Sequence, residues 1–290
     1  MNLQNSFDIT ILTVNYNTSH FIKLMIYSFC VLTKRKWKMI ICDNGSKESD
    51  FAKLKEIISS HKNIELITRQ QKNEQPSIAH GKAMDLLISK VDTPYFLLMD
   101  ADCVFLRKFW DDDIIDQMQK DNLTLIGTPS VFNSYKPIDF PEVYATMFDT
   151  QKYKELGSPS LCPDEVWANS NDKNNIEARD TGWLVRRECI KKGHNYYVFD
   201  AIYTKHNYIK SKNFSGIYCL EFFMRATDEI ICSHFGRGSS QGAWKFADKK
   251  TFLPKAFLKR NQLNNWIKKS KKIIAKQAAL KKPKDLIVIT

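Results

Sequence analysis

The chain has 290 residues, room for one large domain or two small ones, and its 43% hydrophobic content supports a sizeable core and argues against disorder. Thirteen of its 44 Lys and Arg lie between 249 and 284, where no Asp or Glu occurs, so the net charge of +12 sits in one segment and 31 basic residues face 32 acidic ones elsewhere. A near-neutral body of this kind disfavours a nucleic-acid enzyme, whose positive charge spreads over its binding face. Seven cysteines without a Cys-x-x-Cys pair argue against a zinc ribbon or a disulfide scaffold and fit a reducing compartment.

The first 130 residues alternate between strand and helix patterns. Strands are expected at 8–14, 37–42, 64–68, 94–99 and 123–127. Helices are expected between them at 19–32, 49–59, 77–90 and 109–120. Thr18 or Ser19 is placed to cap the first helix. In the third, Ala79, Ala83, Met84, Leu86 and Leu87 are read as the buried side. This βαβα order predicts a mostly parallel, doubly wound α/β sheet with its strand ends on one edge. From 128 to 215 five prolines and a polar stretch at 169–175 break the periodicity, as acceptor-binding loops or surface elaboration would. A short strand is expected at 229–233 and a helix at 256–280.

The chemistry-bearing residues fall on the expected strand edge. The apolar run Tyr95-Phe96-Leu97-Leu98-Met99 ends in Asp100-Ala101-Asp102, where ligands bind in open α/β sheets. Two carboxylates this close repel, and a divalent cation relieves the repulsion. Oxygen ligands suit Mg²⁺ or Mn²⁺, which grip phosphate oxygens. Asp43 ends another apolar strand and opens an Asn-Gly turn, so it is either a turn residue or an acceptor for a base N–H. Tyr16 is either rim packing or a surface on which a nucleobase stacks. His234 precedes the loop Gly236-Arg237-Gly238-Ser239, which can bring an imidazole, a guanidinium and backbone N–H groups to one phosphate–metal site. Asp180 can act as a general base, with Asp200, Glu221 and Asp228 as rivals. There is no Gly-x-x-x-x-Gly-Lys-Ser/Thr loop around Gly81-Lys82, and no Gly-x-Gly-x-x-Gly after the first strand.

With these motifs in place, residues 8–106 resemble a GT-A-type glycosyltransferase, in particular family 2. The resemblance is carried by Thr13-Val14-Asn15-Tyr16-Asn17, Ile41-Cys42-Asp43-Asn44-Gly45-Ser46 and Asp100-Ala101-Asp102, in that order and spacing. It implies that Thr13, Asn15 and Tyr16 line the nucleobase pocket and that Asp43 bonds the base, most naturally uracil or thymine. Asp100 with Ala101 would face the ribose or the metal, and Asp102 with His234 would hold Mn²⁺ or Mg²⁺ on the donor diphosphate. His80 and Arg237 would complete the nucleotide-sugar site. His80 stands where many members carry asparagine. The Glu-Asp pair that supplies the family's base is missing, which leaves Asp180 as the expected base.

The expected function is therefore a metal-dependent, inverting glycosyltransferase. It would move sugar from a UDP- or dTDP-sugar to a hydroxyl of a glycan or glycolipid acceptor. A non-catalytic nucleotide-sugar-binding module of the same fold and a nucleotidyltransferase are the alternatives. The expected division is a catalytic domain over 1–248, with a nucleotide half at 1–130 and an acceptor half at 131–248, and a basic amphipathic tail at 249–290. The tail either meets an anionic membrane surface or packs on the domain with its lysines in solvent, with nucleic-acid binding as a lesser third reading. Residues 1–6 lack an apolar signal core and no 18-residue uncharged apolar run exists, so the expectation is a cytoplasmic protein without a membrane span, placed peripherally on the inner face if the tail binds lipid.

Overall fold

The computed structural model describes residues 6–71, 73–130, 138–164, 166, 178, 180–204, 211, 213–225, 229–236 and 255–280. In chain order they form β1 (Ile9–Asn15), α1 (Ser19–Leu32), β2 (Trp37–Asp43), α2 (Glu48–Ile58), β3 (Ile64–Thr68), α3 (Pro76–Ile88), β4 (Tyr95–Met99) and β5 (Cys103–Phe105). They continue with α4 (Trp110–Lys120), β6 (Leu125–Pro129), β7 (Pro141–Asp149), α5 (Thr150–Glu155), α6 (Trp183–Lys192) and β8 (Tyr196–Val198). The last are β9 (Asp200–Tyr203), β10 (Leu220–Phe223), β11 (Ile230–His234) and α7 (Lys255–Ala278).

The central sheet has the order β3-β2-β1-β4-β7-β6-β8. Its pairs are parallel except where β7 runs against β4 and β6. Side chains alternate across this sheet, and both faces are covered. Ile9, Ile11, Met39, Ile41, Leu97 and Met99 pack toward α1, α4 and α7. Leu12, Ile40, Phe96 and Leu98 pack on the other side with Ala83, Met84 and Leu87 of α3 and Val185 of α6. Burial on two faces is why these strands read as unbroken apolar runs rather than as alternating ones.

The structure adds a second sheet, of which only β11 was expected, as the short strand at 229–233. Antiparallel strands in the order β5-β11-β10-β9 lie beside the central sheet, and the chain passes from β4 into β5 through the turn at 100–102. The carboxylate pair thus sits at the junction of two sheets. Two further differences are local. Leu86 is exposed, whereas Ala79, Ala83, Met84 and Leu87 form the buried stripe of α3 with Ile78 and Gly81. Thr18 occupies the N-cap position of α1 without a side-chain cap bond, because its hydroxyl is drawn to Asn15.

Helix α7 packs on the body. Trp266 and Ile274 are buried in the larger core, with Leu263, Ile267 and Ile273 partly buried beside them. Gln262 accepts from the Tyr218 N–H and donates to the Gly216 carbonyl, while Gln277 accepts from the Lys108 N–H. The outward face carries Arg260, Lys268, Lys271, Lys272 and Lys276. No helix among the described residues is long and apolar enough to cross a membrane.

Candidate functional site

At the ends of β1 and β2, Asn15 is the hub of a buried polar network. Its amide nitrogen donates to Asp43 Oδ2 at 2.7 Å, Ser46 Oγ at 3.0 Å and Asp50 Oδ2 at 3.1 Å. Its oxygen accepts from the backbone N–H and the hydroxyl of Thr18. Asp43 accepts from the Ser46 N–H through Oδ1, closing the turn after β2. Gly45 in that turn has φ +83°, a conformation that favours glycine. Asp50, in the first turn of α2, accepts from Ser19 Oγ at 2.7 Å and so ties α2 to the start of α1. Asn44 bridges onward, donating to the Ala79 carbonyl and accepting from Arg69, which is itself paired with Glu74. Tyr16 projects from this edge with 42% of its surface exposed, and Thr13 lies wholly buried between Ile41 and Met99.

The second cluster forms where β4 enters β5. The Cys103 N–H donates to the Asp100 carbonyl, a tight turn that holds Ala101 at its centre and brings Asp100 and Asp102 together. His234 closes the turn from a position 132 residues downstream, because β11 pairs with β5 in a register that sets His234 opposite Cys103. Its Nε2 lies 3.1 Å from Asp102 Oδ1 and 3.5 Å from Asp100 Oδ2. The Phe235 N–H donates to the Asp102 carbonyl, and the Tyr144 ring lies over the imidazole with centroids 4.7 Å apart. His80 approaches from α3, its Nε2 3.7 Å from Asp100 Oδ1.

The residues fit a divalent cation. Asp100, Asp102 and His234 each offer one ligand atom, all within 4.8 Å of one another. The side chains of Asp102 and His234 are only 7% and 5% exposed, so the charge there has lost most of its water. One nitrogen and two carboxylates form a mixed set that Mn²⁺ accepts more readily than Ca²⁺.

The remaining sequence-selected residues divide. Asp180 is half-buried, and the next residue, Thr181, donates its hydroxyl to the Ser77 carbonyl in the first turn of α3, the helix that carries His80. Asp180 itself accepts from the Thr181 N–H at 2.8 Å. Among its rivals, Glu221 is fully buried and its oxygens are taken up by Ser211, Asn213 and the Phe214 N–H. Asp200 is exposed and faces Arg225. Arg237 and Asp228 lie outside the described residues.

Sequence reasoning missed Asp50 and Tyr144. It also missed His20, in the first turn of α1. Partial burial holds the His20 pKa below its ordinary value, against the opposing pull of Asp50 and Asp102. The signal available for Asp50 was an acidic residue in a helix first turn, which is also the ordinary complement to a helix dipole.

Comparison with curated protein sequences gives no match. Among solved structures, the chain is similar to the mannosyltransferase PcManGT from Pyrobaculum calidifontis in complex with GDP-Man and Mn²⁺, at 10% identity over 96% of this chain and 77% of that one, with a TM-score of 0.49. It is also similar to S. aureus TarS 1–349, at 11% identity over 90% of this chain and 71% of that one, with a TM-score of 0.45. The family model for glycosyl transferase family 2 matches residues 10–190, a span that runs from β1 through the Asp100–Asp102 turn into α6. With its mostly parallel central sheet, this chain is a glycosyltransferase of the GT-A fold and belongs to glycosyl transferase family 2.

Proposed function

We propose that the protein is a metal-dependent, inverting glycosyltransferase that moves a sugar from a UDP- or dTDP-sugar to a hydroxyl of a glycan or glycolipid acceptor. The observation that carries this reading is the convergence of Asp100, Asp102 and His234 at the ligand-binding edge of a family 2 fold. Asp43, held by Asn15 and the Ser46 N–H, accepts the imide N–H of a pyrimidine base. Tyr16 offers its exposed ring to the face of that base. Asp100 and Ala101 face the ribose, and His80 and Arg237 line the sugar and diphosphate. Asp102 and His234 hold Mn²⁺ or Mg²⁺, which would supply Lewis-acid neutralisation of the departing diphosphate.

Asp180 takes the proton of the acceptor hydroxyl as its oxygen bonds to the anomeric carbon. The bond from that carbon to the diphosphate oxygen breaks, and the electron pair leaves with the nucleoside diphosphate. A single displacement of this kind inverts the anomeric centre. The assay is nucleotide release from a panel of nucleotide sugars with Mn²⁺, then with EDTA, for wild type, Asp102→Asn and Asp180→Asn. Loss of turnover in EDTA and in both variants supports the reading. Full turnover by Asp102→Asn would remove the metal role, and full turnover by Asp180→Asn would remove the base.

We further place 1–248 as the catalytic unit, with 1–130 serving the nucleotide and 131–248 the acceptor, in a cytoplasmic protein whose 249–290 segment meets an anionic membrane surface. The five exposed cations of α7 support the membrane contact. Because the apolar stripe of α7 is packed inward, the contact is electrostatic and salt-sensitive rather than insertive. Sedimentation with vesicles containing anionic lipid, at low and high salt, tests it. Equal binding to neutral vesicles would defeat it.

A further inference from the structure

The geometry points to Trp266 of α7 as a positioning residue for the metal site, acting through the strand that carries His234. This rests on the metal reading above. Along β11 the side chains alternate, so Ser233 and Phe235 face away from His234, toward α1 and α7. Both are anchored by one indole. Trp266 Nε1 donates to Ser233 Oγ at 3.0 Å, and Ser233 in turn donates to the Leu220 carbonyl of β10 at 2.8 Å. The Phe235 ring lies 5.7 Å from Trp266 and 5.8 Å from Phe21, and Phe21 lies 5.9 Å from Trp266. Ser233 and Trp266 are 0% and 1% exposed, so the hydroxyl has no water to replace the indole as donor.

The consequence concerns where the imidazole sits. Nε2 of His234 must stay within reach of two carboxylates carried by the β4–β5 turn. Sliding or twisting β11 relative to β5 moves the imidazole relative to Asp100 and Asp102, against the β5–β11 ladder and the bond from the Phe235 N–H to the Asp102 carbonyl. Trp266 opposes both motions, by a directed hydrogen bond on one side of His234 and by ring packing on the other. The segment 249–290 is thus distinguished by its charge, while one of its residues serves the catalytic centre.

The test uses the full chain and reads Mn²⁺ affinity by the EPR signal of free Mn²⁺, without substrate or turnover. Trp266→Phe keeps an aromatic ring and removes the donor. Its Mn²⁺ Kd is expected to rise about 5-fold, below the 10- to 100-fold range for groups bonded directly to a ligand. Ser233→Ala is expected to give a similar rise, and the double variant no further one, because the two act through one bond. Ile274→Ala is the control for packing. Ile274 is also fully buried, but it lies about 12 Å farther along α7. This variant should lower the urea midpoint and leave the Mn²⁺ Kd unchanged. Wild-type affinity in Trp266→Phe, or an equal loss in Ile274→Ala, would overturn the positioning role while sparing the metal reading. A wild-type chain that takes up no Mn²⁺ would overturn both.

Discussion

Replacing Gly81 by alanine probes how α3 is held against the 161–162 segment. Gly81 lies in α3, one residue after His80, and the helix packs there against Leu161 and Cys162. A Cβ on Gly81 would stand 2.5 Å from Cys162 Cα and 3.0 Å from both the Cys162 nitrogen and the Leu161 carbonyl oxygen. Those atoms are backbone, so no rotamer change relieves the clash, and α3 and the 161–162 segment must separate by about 1 Å to restore ordinary contact. Overpacking of this kind costs about 1–3 kcal/mol. The separation also strains the Thr181–Ser77 hydrogen bond, worth about 1 kcal/mol. Alanine returns about 1 kcal/mol through its better helix propensity, so the net destabilisation is about 1–3 kcal/mol. With a urea m-value of about 3 kcal/mol/M, the midpoint should fall by about 0.3–1 M. If Asp180 is the base, kcat should fall by about 10- to 100-fold, since a misplacement of 1 Å is enough for that. A Gly81→Ala protein as stable as wild type, or more so, would show that helix propensity outweighs the close approach and would refute the reasoning.

Three other expectations follow from named contacts. Asn15→Ala frees Asp43 from its 2.7 Å donor, and the KM for the nucleotide sugar should rise more than kcat falls; an unchanged KM would separate Asp43 from donor binding. Gly127→Ala would put a Cβ 2.0 Å from Thr146 Oγ1 and 2.7 Å from the Ala145 carbonyl oxygen; a loss of at least about 2 kcal/mol by urea unfolding is expected, and a neutral result would contradict the β6–β7 packing. The Arg69 hydrogen bond holds the Glu74 carboxyl below its usual 4.5. The stabilisation from that pair is therefore present above pH 4.5 and lost as pH falls through the lower folded-state value, so Glu74→Gln should be less stable than wild type at pH 7 and converge on it in acid; a gap that persists at the lowest pH of the folded range would contradict this.

The sequence made the first 130 residues legible because β1, β2 and β4 are buried on both faces. Runs such as Leu97-Leu98-Met99 admit few readings, and they end in Asn15, Asp43 and Asp100 on one edge. His234 was visible as a motif, but its place beside Asp102 depends on the β11–β5 register, a long-range pairing that leaves no local trace. Of the second sheet only β11 was legible, as the short strand at 229–233, because β5, β9 and β10 are three or four residues long, too short for a period to emerge. In α7 the apolar stripe was plain. Whether lipid or protein covers it was decided by Phe21, Ser233 and Phe235, whose positions only the fold supplies. Asp50 went unread because an acid at a helix start already has an ordinary explanation, and its bond to Asn15 spans 35 residues.

The most direct measurement is calorimetric titration of Mn²⁺ into the wild-type chain, Asp102→Asn and His234→Ala, each checked for folding by circular dichroism. The account predicts that the wild type binds the ion and that each folded variant binds it about 100-fold more weakly or worse, since a lost ligand should cost at least as much as a lost outer partner. Wild-type affinity in either folded variant, or no uptake by the wild type, would contradict it.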